Sequence, residues 1–274
     1  MAVDQLQFDL APFDAIAERY DETFTSSKIG QAQRAAVWKE LGKAFHAGDR
    51  VLELGCGTGV DACVLAQRGT AVFACDSSPL MIAAAQRNTE NMRSTGAGSV
   101  HLQLLRAEEI LSLRKWGPFD GAFSNFGALN CIENLRPLAI DLAALLKPRS
   151  SLLLCLMGPC CAWEIAWYLA KGKPSRAFRR MQRQGVVARL ADRGVVHVRY
   201  PTVHSLTRAF SPEFRLKSLK GIGVLVPPSY IEHQAARFPR LFKFSSLADS
   251  ILGYCPGIRV LADHILLRFE RGEV

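Results

Sequence analysis

Apolar and polar positions along the chain change period several times, and each change marks an element. Residues 11 to 25 (APFDAIAERYDETFT) and again 31 to 46 repeat apolar side chains at helical spacing. Val51-Leu52-Glu53-Leu54 then forms a short strand that ends in Gly55-Cys56-Gly57-Thr58-Gly59, and helical spacing follows from Val60 to Arg68. Ala71 to Cys75 is a second strand, closed by Asp76. Ser78-Pro79 supplies a cap and a first-turn proline for a helix reaching to Asn91. Further strands lie at Val100 to Leu105 and Phe119 to Ser124. A helix at Leu135 to Leu146 is stopped by Lys147-Pro148, and a fifth strand covers Ser151 to Met157.

Beyond Met157 the alternation breaks. Cys161 to Gln184 reads as one long amphipathic, basic helix, followed by a Gly-containing connection and a strand-like VVHVRY. Order resumes at Phe214 to Lys220, passes through helices within 228 to 252, and closes on Val260 to Arg268 as a last strand. Strands alternating with helices through short loops predict an α/β fold with a doubly wound, mostly parallel sheet covered on both faces.

Composition changes this picture in two places. The chain has 274 residues, 49% of them hydrophobic and 22% charged, which suits a globular protein and not a disordered one. Its net charge of +9 is concentrated: between Lys171 and Lys220, thirteen Lys and Arg face two acids. Such a run is either a solvated face or a field for an anionic partner such as nucleic acid, a membrane surface or a phosphorylated molecule. Eight cysteines occur without a CxxC pair, and Cys56, Cys75 and Cys155 sit in apolar runs. With no signal-like segment at Met1 to Leu10, reduced thiols in a cytoplasm and no metal site are expected. Ser151 to Ala170 approaches the length of a membrane span, but Gly158-Pro159 splits it into a strand and a helix start.

The chemistry centres on Glu53-Leu-Gly55-Cys-Gly57-Thr-Gly59. A glycine-rich strand-to-helix turn lets backbone approach a ligand, and it lies at the carboxyl edge of the strands where doubly wound sheets bind ligands. Asp76 ends the next strand, placed to accept hydrogen bonds from two ribose hydroxyls. A dinucleotide site prefers GxGxxG, with pyrophosphate on the helix N-terminus. Here the pattern is GxGxG, and Glu53 would repel a pyrophosphate but suit an ammonium and a sulfonium, both present in S-adenosylmethionine.

At these residues the chain resembles the class I S-adenosylmethionine-dependent methyltransferases, in particular the small-molecule branch of ubiquinone and menaquinone methyltransferases. VLELGCGTGVDA (51–62), ACDSSPLMIAAAQ (74–86), RAEEI (106–110), FDGAFSNFGALNCI (119–132) and LKPRSSLLLCLMG (146–158) carry the resemblance. It implies a Rossmann-like, seven-stranded sheet whose last strand is antiparallel. The resemblance covers about 110 residues; with the element pattern on either side, one methyltransferase domain over 1–274 is expected: an N-terminal helical cap (1–47), a cofactor-binding core (48–158), a basic insertion or lid after strand five (159–200), and the rest of the sheet with helices (201–274).

Carried over by position, Glu53, Gly55, Cys56, Gly57 and Gly59 would surround the methionine part of S-adenosylmethionine. Asp76 with Ser77 would hold the ribose, with Met81 beside the adenine and Ala107 and Glu108 at its edge. Ser124, Asn125 and Phe126 would lie under the methyl, and Tyr20 would cover the cofactor. Arg106 departs from the Asp of many relatives. Each residue also has a plainer reading: Asp76 and Asn125 as caps, Met81 as core, Glu108 as a solvated acid, Tyr20 as a packed aromatic.

The expected reaction is methyl transfer to an oxygen or carbon of a small apolar or anionic molecule that is lipid-, quinone- or polyketide-like. A general base is then needed. His204 leads, after Tyr200-Pro-Thr-Val; His197 and His233 follow, and His264 lies in an apolar run and is expected to be packed. An RNA-modifying enzyme and a non-catalytic cofactor-binding subunit are the alternatives. Nucleic acid is disfavoured by Ser124-Asn125-Phe126-Gly127, which lacks the prolines of base-methylating enzymes. The aromatic-then-basic run over 160–183 suits either a lid or a peripheral membrane contact.

Overall fold

The computed structural model describes residues 11–92, 98–191, 194–232 and 237–273. His233 and Met1 to Leu10 lie outside the described residues. Seven strands form one sheet: β1 (Arg50–Leu54), β2 (Ala71–Asp76), β3 (Ser99–Leu104), β4 (Phe119–Ser124), β5 (Leu146–Met157), β8 (Phe214–Ile222) and β9 (His264–Arg271). Their order is β3-β2-β1-β4-β5-β9-β8. The first five pair in parallel, and β9 runs antiparallel to both of its neighbours. The expected seven-stranded sheet with an antiparallel last strand is present.

The sheet is buried on both faces because its strands alternate. Leu52 and Leu54 of β1 face a cluster with Leu138, Leu142 and Phe210, while Val51 faces a second with Val37, Leu41 and Phe45. Five helices deliver those side chains or cap the site: α2 (Lys28–Ala44), α3 (Val60–Gln67), α4 (Pro79–Asn91), α5 (Leu135–Leu145) and α8 (Val203–Phe210). α4 starts as the Ser-Pro pair requires: the Ser78 hydroxyl accepts the Met81 N–H at 3.1 Å, with Pro79 in the first turn. The N-terminal stretch is not one helix. A 3₁₀ turn (Pro12–Ile16), the short α1 (Ala17–Tyr20) and one π-helical turn (Asp21–Thr25) follow one another.

The insertion departs most from expectation. Instead of a single helix over Cys161–Gln184 there are α6 (Ala162–Ala170), α7 (Pro174–Ala177) and a 3₁₀ turn (Arg179–Met181). Gly172, at φ +65°, ends α6 and Pro174 restarts the chain. The Gly-containing connection is itself half of a hairpin, β6 (Val186–Leu190) paired with β7 (Gly194–Val198). Two smaller corrections concern strand ends. β5 begins at Leu146, so Lys147-Pro148 lie in the strand, and β9 begins at His264 because Arg259–Leu261 form a 3₁₀ turn. Ser151 to Ala170 divides between β5 and α6, and no helix among the described residues is long and apolar enough to cross a membrane.

Candidate active site

The turn after β1 holds Gly55, Gly57 and Gly59 at φ of +66°, +53° and +73°. A methyl group on Gly55 would overlap Ala128, and one on Gly59 would press on Ala85. A methyl on Gly57 would meet nothing within 4 Å. Gly57 therefore faces open space at the carboxyl edge of the sheet. Its N–H donates to Asp76 Oδ2 at 2.8 Å, and the other oxygen of Asp76 accepts the Ser78 N–H at 2.9 Å. Burial raises the Asp76 carboxyl above its ordinary range despite these bonds.

Glu53 is 1% exposed, and its Oε2 has no hydrogen-bond partner. Burial, and then the charge of Asp61, push its carboxyl well above the usual carboxylate range, with Arg34 opposing. Asn125 Oδ1 and Arg34 Nε are likewise buried and unpartnered. Arg34 and Asn125 both bond Asp61, the second residue of α3, whose charge also acts on Glu53. Asp61 Oδ1 accepts Arg34 Nη1 at 2.6 Å and Trp38 Nε1 at 2.7 Å, and Oδ2 accepts Asn125 Nδ2 at 2.9 Å. The Arg34 guanidinium lies 5.2 Å from the ring centre of Phe24 and 5.0 Å from that of Phe126. Phe126 itself holds φ +51°, a costly setting for an aromatic residue and one found at functional turns.

The N-terminal stretch is pinned over this turn. Asp21 accepts the Thr58 hydroxyl at 2.6 Å and Asn88 Nδ2 at 2.9 Å, and Asp14 accepts the Ser78 hydroxyl and the Leu80 N–H. Tyr20 is half-buried there, its ring 5.7 Å from Phe24. Burial raises its phenol, with Arg34, Asp61 and Asp76 among the charges it feels. Met81 is buried, Cys56 is buried, and Ser77 is exposed. The Ser124 hydroxyl donates to the Leu54 carbonyl at 2.8 Å. Ala107 and Glu108 start the 3₁₀ stretch after β3, where exposed Glu108 lies 3.8 Å from Arg106.

His204 is exposed near the start of α8, on a helix that packs against α5 and β8. His197 is exposed on the β6–β7 hairpin. His264 is packed, as expected, but at the start of β9, opposite Met157 at the carboxyl end of β5. Its ring stands edge-on to Phe126 at 5.6 Å, and its Nδ1 is unpartnered, 3.3 Å from Asp263 Oδ2. Asp263 accepts Arg180 Nη2 at 2.8 Å and Gln33 Nε2 at 3.2 Å. Burial would raise its carboxyl, but His264 and Arg180 hold it far below the usual range. Arg180 also reaches Glu164 at 2.9 Å, so the insertion is locked to β9 by buried charges. Sequence reading missed Arg34, Trp38, Asp61 and Asp263. For Arg34, Asp61 and Asp263 the available signal was a charged residue inside an apolar run; Trp38 carried no such signal.

Strand order, glycine turn and β2 acid define the class: this is the class I S-adenosylmethionine-dependent methyltransferase fold. Residues 51–149, which carry the glycine turn and the β2 acid, match the family model described as a methyltransferase domain. The chain is similar to the demethylmenaquinone methyltransferase of Clavibacter sepedonicus, at 30% identity over 145 residues, 53% of this chain and 56% of that one. The chain spans about half the length of the curated relatives it matches. Among solved structures it resembles the CcbJ methyltransferase of Streptomyces caelestis (TM-score 0.61, 15% identity, 96% of this chain and 98% of that one). It also resembles an S-adenosylmethionine-dependent methyltransferase of Mesorhizobium loti (TM-score 0.54, 17% identity, 90% and 99%). At these identities the structural likeness is one of fold.

Proposed function

We propose that this chain transfers a methyl group from S-adenosylmethionine to an oxygen or carbon of a small, largely apolar molecule, with a reduced quinone ring as the favoured acceptor. The observation that carries the reading is a set of buried polar atoms left without partners. Glu53 Oε2 lies on the strand that leads into the turn where Gly57 faces open space, and Asn125 Oδ1 and Arg34 Nε belong to side chains bonded to Asp61 just after it. Such atoms cost about 1–3 kcal/mol each when unsatisfied, so a polar ligand is the natural complement. Carboxylates outnumber cations there: Glu53, Asp61, Asp76, Asp21 and Asp14 stand against Arg34. A cationic sulfonium with an ammonium fits that field, and a diphosphate does not.

When bound, S-adenosylmethionine supplies an electrophilic methyl on a sulfonium that leaves as a neutral thioether. The chain's own residues hold and orient. Gly55, Cys56, Gly57 and Gly59 offer backbone, and Glu53 faces the ammonium end. Asp76 with Ser77 takes the ribose. Met81, Ala107 and Glu108 bound the adenine, Ser124, Asn125 and Phe126 lie under the methyl, and Tyr20 with Phe24 closes the cover. Alignment of acceptor and methyl then lowers the barrier. An acidic acceptor hydroxyl or carbon must lose a proton. His264 is better placed than His204 to take it, since its ring adjoins Phe126 at the carboxyl edge of the sheet, whereas His204 is exposed on α8.

The quinone assignment draws on the relatives' activity and on the apolar, aromatic lining at Phe24 and Phe126. An RNA acceptor gains less support from the basic stretch than its sequence suggested. Arg179, Arg180, Arg199, Lys217 and Lys220 are in ion pairs with Glu164, Asp263, Glu133, Glu270 and Glu40. Incubation with methyl-labelled S-adenosylmethionine and a prenylated naphthoquinol should give a labelled quinol product. Cofactor binding with no label transferred to any reduced quinone would remove the acceptor assignment.

A further inference from the structure

The aromatic-basic run over 160–183, for which a lid and a lipid contact are the two expectations, is partly engaged within the fold, with Leu169, Phe178 and Met181 left 44% to 47% exposed. Trp163, Trp167 and Tyr168 of α6 are half-buried, Lys171 covers the Trp167 ring at 4.2 Å, and Arg179 and Arg180 are spent on Glu164. A more exposed and continuous apolar stripe lies elsewhere, on α9 (Pro239–Leu252). Leu241, Phe244, Leu247 and Ile251 recur every three or four residues and are 63% to 69% exposed. That spacing puts them in one stripe along the helix. Phe238, Tyr254 and Ile258 prolong it at both ends. On the opposite side, Phe242 packs against Ile29 and Val226, and buried Asp249 accepts the N–H groups of Gly223 and Leu225. The helix is therefore firmly seated with its apolar face outward, the reverse of an ordinary surface helix.

Charge decides what covers it. Arg237, Arg240 and Lys243 are exposed at the N-terminal end of the stripe, and Arg259 follows it. Between residues 237 and 261 the sole acid is Asp249, which is buried and engaged by backbone. A second copy meeting this face about a two-fold axis would bring like charges together. We propose that α9 is an in-plane anchor that docks the chain on an anionic lipid surface, with the stripe among the acyl chains and the cations at the headgroups. The anchor adjoins the active-site cover. Glu232, shortly before it, accepts the Lys28 and Ile29 N–H groups that open α2, and Tyr230 donates to Glu164 in the insertion. An acceptor dissolved in the bilayer would thus meet the enzyme on its docked side. Docking itself stands apart from the methyl-transfer reading; only its use rests on that reading.

The test is vesicle flotation of the full chain with phosphatidylcholine alone and with added phosphatidylglycerol, alongside S-adenosylmethionine binding by calorimetry. Three surface cations should make binding to the anionic vesicles on the order of 100-fold tighter. Phe244→Glu/Leu247→Glu should abolish flotation with both vesicles and leave cofactor affinity unchanged, since these side chains are solvent-facing. Arg240→Gln/Lys243→Gln should remove most of the anionic preference. Absence of flotation, or flotation that survives Phe244→Glu/Leu247→Glu, would overturn the proposal. So would a dimer in sedimentation velocity that the same variant dissolves without any lipid binding. Loss of cofactor binding in the unmodified chain would instead strike the methyltransferase reading and leave the docking result standing.

Discussion

The Gly57 N–H donates to Asp76 Oδ2 at 2.8 Å, tying the glycine turn after β1 to the acid that ends β2. The bond fixes the open side of the turn. Since a methyl on Gly57 would meet no atom within 4 Å, Gly57→Ala is not excluded by packing. Its cost in the ligand-free protein is the left-handed backbone, about 1–2 kcal/mol. The methyl would, however, stand in the proposed cofactor space. Thermal melts should therefore show a modest loss of stability, while S-adenosylmethionine affinity falls by more than tenfold.

Glu53 gives a pH prediction with a definite sign. Burial and Asp61 raise its carboxyl well above the usual range, so the folded protein holds this proton to higher pH than the unfolded chain does. Its contribution to ligand-free stability is therefore present at low pH and lost as pH rises through the raised pKa. A cation in the cradle reverses the preference. Cofactor affinity should rise with pH through the same range, with proton release on binding. Glu53→Gln should raise the melting temperature of the ligand-free protein at neutral pH. It should also weaken cofactor binding by about 1.5–3 kcal/mol and flatten its pH dependence.

Arg34 and Asp61 form a buried pair at 2.6 Å beneath the site. Removing one partner strands a charge, so Arg34→Leu should cost about 3–5 kcal/mol in urea unfolding. The double variant Arg34→Leu/Asp61→Asn should recover a substantial part. Equal losses for the single and double variants would show that the pair is not coupled.

His264→Ala should lower kcat with little change in S-adenosylmethionine affinity, and the loss should shrink at high pH, where the acceptor ionises unaided. His204→Ala, altering an exposed side chain of α8, should leave turnover near that of the unmodified enzyme. The reverse pattern would return the base to α8.

The turn and its acid were legible because strands buried on both faces spell unbroken apolar runs, and because glycines at positive φ have few substitutes. Arg34 and Asp61 were not legible. They meet across 27 positions, and Asp61 and Asn125 across 64, so no local period reports the pairing. The insertion was misread for a different reason. Its apolar-then-basic spacing continues across Gly172 and Pro174, and the breakers mattered more than the period. On α9 the period was visible, but which side faces the core depends on partners such as Ile29 and Val226 that are distant in sequence.

The most direct test is calorimetric titration of the purified chain with S-adenosylmethionine and, separately, with NAD, repeated on Asp76→Ala. A saturable site for S-adenosylmethionine alone, weakened by about 1–3 kcal/mol in the variant as two ribose hydrogen bonds are lost, is the predicted result. Binding of NAD in preference to S-adenosylmethionine, or affinity untouched by Asp76→Ala, would contradict it.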